Sequence, residues 1–266
     1  MRSTSLALLV ACVAGCATLT QDSLLDQRFG PADPSRFDRP AAPPPGGVSY
    51  QRDVRPVLEN RCVVCHGCYD APCQLKLGSW EGIARGATKA LVYDGTRLLE
   101  APPTRLFVDA QLPSQWRQKD FHPVLNERTP TPENNLAASV LYRSLALKKA
   151  HPLPNESVLS GAFDFSLDRA QTCARLGEFD AYEREHPLAG MPYGLPGLAP
   201  RELDVVTRWL ATGAPFDAAP APPAHVARQV KDWEQFLNGS SLKAVSYTHL
   251  RAHETVLDLV CRLLLE

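Results

Sequence analysis

Apolar positions recur along this chain with helical spacing in three stretches. From Ser49 to Arg61 the residues Tyr50, Val54, Val57, Leu58 and Cys62 fall three or four apart, with Ser49 placed to cap. The spacing predicts a helix in which Pro56 either makes a kink or marks the true first turn. Asn134-Asn135 can cap a second helix that carries Leu136, Val140, Leu141 and Leu145 on one face and ends near Lys148-Lys149, where positive charge suits the helix terminus. A third begins at Pro200, a good first helical residue, and aligns Leu203, Val206 and Leu210 with Val205 and Trp209 beside them. Gly213 and Pro215 supply its stop. Residues 74–133 hold only short apolar runs, Ala90-Leu91-Val92-Tyr93 and Arg105-Leu106-Phe107-Val108, broken by Gly and Pro, so loops with short strands or turns are expected there.

Flanking segments follow different rules. Met1-Arg2-Ser3 leads into the apolar run Leu6-Ala7-Leu8-Leu9-Val10-Ala11, which is too short to span a bilayer and reads as a secretory signal over residues 1–16. Val13-Ala14-Gly15-Cys16 resembles a bacterial lipobox, in which Cys16 is acylated and becomes the first mature residue; ordinary cleavage near Ala17 is the alternative. Both readings place the protein in the periplasm, in the first case lipid-anchored through Cys16. Residues 17–47 are rich in Pro, Asp and Arg and read as a tether. A second Ala/Pro linker, Pro220-Ala221-Pro222-Pro223, lies within 218–244 and precedes Lys231 to Gly239, the start of a following segment. Residues 245–266 have the look of translated adapter sequence; a native amphipathic helix is the competing reading of their Leu and Val spacing. No later stretch has the roughly 20 consecutive apolar residues of a transmembrane helix.

Composition narrows the field. A net charge of -1 provides no concentrated basic face, so nucleic acid is not an expected partner. Eight cysteines are many for a cytosolic enzyme and suit an exported one that binds metal or forms disulfides.

Three of those cysteines stand in Arg61-Cys62-Val63-Val64-Cys65-His66-Gly67-Cys68. Cys-x-x-Cys-His is the spacing of covalent heme c attachment: two thiols three apart can bond the two vinyl groups of one porphyrin, which sets the adjacent imidazole under the iron. Cys62 and Cys65 are therefore the tethers and His66 the proximal ligand and candidate catalytic group, acting through the iron. A zinc knuckle drawing on the nearby Cys68 and Cys73 is the sharpest alternative. Cys68 and Cys73 can also pair with each other, or one of them with Cys173, and spacing does not choose.

A second informative stretch is His186-Pro187-Leu188-Ala189-Gly190-Met191-Pro192-Tyr193-Gly194-Leu195-Pro196. Its methionine sits in a Gly/Pro-stiffened loop just before the last core helix, and a thioether with an imidazole is a known axial pair. Met191 is the expected sixth ligand, with His122, His151 and His186 as fallbacks. Tyr50 to Gly67 together with Met191 to Pro215 resembles the two ends of a class I cytochrome c domain, which implies a mainly α fold with such a domain over 48–217 and a long loop-rich insertion at about 74–185 between the heme motif and the Met loop. Trp209 would pack where the closing helix crosses the first.

Arg61 to Leu77, with its Cys68-Tyr69-Asp70-Ala71-Pro72-Cys73 continuation, is similar to the heme region of bacterial fatty acid cis/trans isomerases, and Trp233 to Lys243 resembles their sequence after the cytochrome-like part. The resemblance extends from about Val48 to Ala244 and suggests the N-terminal part of a longer protein. It implies conversion of cis to trans double bonds in phospholipid acyl chains without net redox change, with membrane lipid and the heme-attachment machinery as partners. Rotation about a double bond needs its π overlap weakened, which a ferric heme can do by accepting electron density in an apolar pocket. An electron-carrier cytochrome, alone or fused to another enzyme, is the competing expectation.

Overall fold

The computed structural model describes residues 22–67, 71–90, 104–154, 161, 163–164, 166, 171–218 and 220–246. A wide helical turn, Tyr50–Val54, opens the core and runs into α1 (Arg55–Arg61) and α2 (Val63–His66). There follow α3 (Trp80–Arg85), α4 (Pro113–Arg117), α5 (Pro132–Ala137), α6 (Val140–Ala150), α7 (Phe179–Glu185), α8 (Pro200–Ala211), α9 (Ala224–Leu237) and α10 (Leu242–Ser246). Among the described residues there is no strand; isolated bridges join Ala87 to His122 and Leu106 to Ala110. The expected run 91–93 lies outside the described residues, while Leu106 to Val108 forms a turn. No described helix is long and apolar enough to cross a membrane.

The N-terminal end of the first helical unit is fixed by side chains. The Ser49 hydroxyl accepts from the Arg52 amide at 3.0 Å, and the Ser49 amide donates to Asp53 at 2.9 Å. Asp217, beyond the end of α8, accepts from the amides of Tyr50 at 2.7 Å and Gln51 at 3.2 Å, and from the Ser49 hydroxyl. A carboxylate there meets the positive end of the helix and ties it to the far end of the core. Pro56 marks the first turn of α1, where its missing N–H costs nothing.

The first and last core helices meet at Tyr50 and Trp209, whose ring centroids are 5.7 Å apart. Both rings are almost fully buried, and the Trp209 indole donates to the Pro215 carbonyl at 2.9 Å, which pairs its polar edge. Phe216 and Trp80 extend the cluster at 5.3 Å.

Two expectations change. The single helix foreseen from Asn134 is two, because the Ser139 hydroxyl accepts from the Tyr142 amide at 3.2 Å and starts α6 afresh, while Thr131 rather than Asn134 caps α5. Asn135 instead faces inward, accepting from Arg36 at 3.0 Å and donating to Ala211 O at 2.9 Å. The described part of the 17–47 stretch is packed on the fold: Phe29 and Phe37 are buried, and Arg36 also donates to the carbonyls of Asn126 and Arg128. The described part of residues 74–185 likewise shares the core, since Trp80, Ile83, Val124, Leu141 and Leu145 pack in one cluster with Tyr50 and Trp209. Arg117 braces them through Glu127 at 2.6 Å and the Ala84 carbonyl at 2.9 Å.

Candidate functional site

The turn of α2 decides where the motif's side chains go. The amides of Cys65 and His66 donate to the Cys62 carbonyl at 3.2 and 2.9 Å, closing one tight turn that gathers both thiols and the imidazole. After the turn Pro72–Gln74 the chain comes back alongside, and the Leu77 amide donates to the His66 carbonyl at 2.8 Å. That return puts the Leu75 carbonyl 3.0 Å from His66 Nδ1. A carbonyl can only accept, so Nδ1 carries the proton and the lone pair resides on Nε2. This is the backing a metal-binding imidazole needs.

Cys62, Cys65 and His66 line a cavity of about 300 Å³ whose other walls include Leu75, Leu77, Val124, Leu141, Leu145, Phe179 and Met191. Its size and apolar lining suit a sizeable organic group. Cys62 and Cys65 are both free thiols, Cys65 exposed at the rim. Burial pushes the Cys62 thiol up to about 12, partly countered by Arg61, so it rests as a neutral thiol. Arg61 donates to the Gly197 carbonyl at 2.7 Å and lies 3.5 Å from Glu202, linking the motif to the start of α8. The Met191 amide donates to the Ser144 carbonyl at 2.9 Å, which holds the loop against α6 and brings the thioether to the same cavity.

Of the three fallback histidines, only His122 joins this cavity. His151 and His186 are exposed, the latter with its ring 5.4 Å from Tyr182. His122 is 8% exposed and neither ring nitrogen has a hydrogen-bond partner. Burial, and then the charges of Arg175 and Arg117, push it down to about 4, so the ring is neutral. Its backbone is fixed by reciprocal bonds with Ala87 at 2.7 and 3.0 Å. Gly86 permits that bridge: at φ +85 a Cβ there would stand 2.1 Å from the His122 carbonyl oxygen.

Cys73 is bonded to Cys173, and both line the cavity. Cys73 is thereby removed from any zinc knuckle. Among the described residues no group of three or more His, Cys, Asp or Glu is placed to hold a metal ion alone. Cys68 and Cys16 lie outside the described residues. What is present, two free thiols, a backed imidazole and a thioether around an apolar space, fits a covalently held heme. Sequence pattern located the motif and the loop, but the Leu75 carbonyl, the Gly86 contact and the distinction of His122 from its fellow histidines depend on chain returns that no local signal marks.

The family model for fatty acid cis/trans isomerases matches residues 101–249, more than half of the chain. The match takes in His122, Cys173 and Met191 and begins beyond Cys62, Cys65 and His66. No curated protein and no solved structure gives a significant match.

Proposed function

Because the chain belongs to the fatty acid cis/trans isomerase family, we propose that it isomerises cis-unsaturated acyl chains of membrane phospholipids, with no net redox change, through a heme c tethered by Cys62 and Cys65. His66 and Met191 would hold its iron. The observation that carries this reading is the His66 to Leu75 bond, within a cavity that also holds both free thiols and Met191. When bound, the heme supplies an iron centre able to draw electron density from a double bond, lowering the barrier to rotation.

The protein's own residues do the rest. Cys62 and Cys65 fix the group in position, and the Leu75 carbonyl orients His66 so that Nε2 meets the metal. Leu75, Val124, Leu141 and Leu145 form walls that exclude water and align an acyl chain by shape. The contact between the Tyr50–Val54 turn and α8, through Tyr50 and Trp209, supports a class I cytochrome c-like arrangement of the two chain ends. The N-terminal signal and Cys16 support a periplasmic, lipid-anchored location, beside both the membrane substrate and the heme-attachment machinery.

The His66 and Met191 pair also favours a second reading, electron carriage by the same domain. One experiment separates them. Full-length protein made with a working heme-ligation system should keep its heme through denaturation and acid-acetone extraction, and should yield trans product from cis-monounsaturated phospholipid by gas chromatography. Cys62→Ser/Cys65→Ser should lose both properties. A colourless wild-type protein would overturn the heme; coloured protein that forms no trans product would leave the electron carrier.

A further inference from the structure

We infer that His122 is a recognition residue for a carboxyl or ester oxygen of the molecule the cavity holds, to which its ring donates an N–H hydrogen bond. This rests on the reading of the cavity as the heme and acyl-chain site.

His122 is 8% exposed, both ring nitrogens are out of contact with solvent, and among the described residues neither has a hydrogen-bond partner. Leaving a buried polar group unmatched costs on the order of 1–3 kcal/mol, so a ring kept in this state points to a partner that arrives with a ligand. The main chain that carries the ring is fixed, and only the side-chain torsions are left to turn a nitrogen toward a ligand. Ala87 holds the His122 backbone from both sides, and the Gly86 contact leaves no slack behind the carbonyl.

The partner is an oxygen and not the metal. A histidine that binds metal has its second nitrogen backed by a carbonyl, carboxylate or water. His66 has that backing from Leu75, and His122 has none in the protein. Burial, and then the charges of Arg175 and Arg117, keep the ring neutral, with one N–H left to donate. Two molecules carry such an oxygen into this cavity, the propionate of a porphyrin and the carboxyl end of an acyl chain.

The test uses heme-loaded protein whose covalent heme has first been established, so that a failure of heme attachment is recognised separately. Wild type, His122→Phe and His122→Gln are compared; the glutamine keeps an N–H donor and guards against a merely steric effect. The first arm measures binding of oleate, methyl oleate and the hydrocarbon with the same double bond by calorimetry. The second records the propionate-bending mode by resonance Raman spectroscopy and the midpoint potential. If His122 meets the acyl end, wild type prefers the two oxygen-bearing probes by about tenfold, corresponding to one hydrogen bond. His122→Phe then loses the preference and His122→Gln keeps part of it, with the propionate mode unchanged. If His122 meets a propionate, all proteins bind the three probes without preference. His122→Phe then shifts the mode and potential, and His122→Gln restores part of the shift. Variants that match wild type in both arms overturn the proposal, whatever the rate of trans-product formation.

Discussion

His66 Nδ1 lies 3.0 Å from the Leu75 carbonyl, while the His66 carbonyl accepts from the Leu77 amide at 2.8 Å. One returning strand of backbone thus grips the residue at ring and main chain. The ring's tautomer and direction are set before any ligand binds, which is what makes an axial role for His66 specific. His66→Ala should leave both thioether bonds possible through Cys62 and Cys65 but remove the axial nitrogen. The visible spectrum should change its spin-state bands, and trans-product formation should fall by more than the roughly 10–100-fold that loss of a backing group alone costs. Unchanged activity with intact heme would remove His66 from the mechanism.

The Cys73 to Cys173 bond spans 100 residues and joins two walls of the cavity. Closing a loop of that length restricts the unfolded chain by about 4–5 kcal/mol in the chain-entropy description. Cys173→Ser with Cys73→Ser should therefore lower unfolding stability by about 3–5 kcal/mol. The loss should appear as a reduced denaturant midpoint. A change below about 1 kcal/mol would show that the wall segments are held by other contacts.

The helices around Ser49 and Pro200 were legible because their signals are local: a capping serine, a proline in the first turn, and apolar residues three and four apart. The Cys-x-x-Cys-His turn was legible for the same reason. The break at Ser139 was not, since periodicity continues through it and only the hydroxyl's capture of the Tyr142 amide divides the helix. The packing of residues 22–47 was hidden by their Pro-rich composition. It depends on Arg36 reaching the carbonyls of Asn126 and Arg128 and on Phe37 meeting Trp80, all distant in sequence. His122 had no distinguishing sequence context beside His151 and His186. Its burial comes from the bridge to Ala87, a contact between segments without helical or strand periodicity.

The titration of His122 gives a signed prediction for the heme-free variant Cys62→Ser/Cys65→Ser. The folded ring titrates at about 4 against an ordinary 6.5. Between those values the unfolded chain takes up a proton that the folded chain does not. Stability is therefore complete above about pH 6.5 and falls as pH drops toward about 4, by up to about 3 kcal/mol from this residue. Denaturant unfolding at successive pH values should show that slope, and His122→Phe in the same background should flatten it. An equal slope in both proteins would assign the acid sensitivity to other groups.

Gly86 and Gly46 allow backbone strain to be separated from steric clash. Both have positive φ, +85 and +71, but a Cβ at Gly46 meets nothing within 4 Å whereas one at Gly86 would lie 2.1 Å from the His122 carbonyl oxygen. Gly46→Ala should cost only the left-handed conformation, about 1–2 kcal/mol. Gly86→Ala should cost more for the backbone alone, because φ +85 with ψ -156 is a conformation essentially confined to glycine, and should also force apart the Ala87 to His122 bridge, for a total above about 3 kcal/mol. Because the bridge fixes the imidazole, Gly86→Ala should also reproduce the ligand or propionate response of His122→Phe, while Gly46→Ala should behave as wild type in that measurement. Equal destabilisation by the two substitutions would mean that the contact behind His122 yields without cost, and that the ring is not rigidly presented to the cavity.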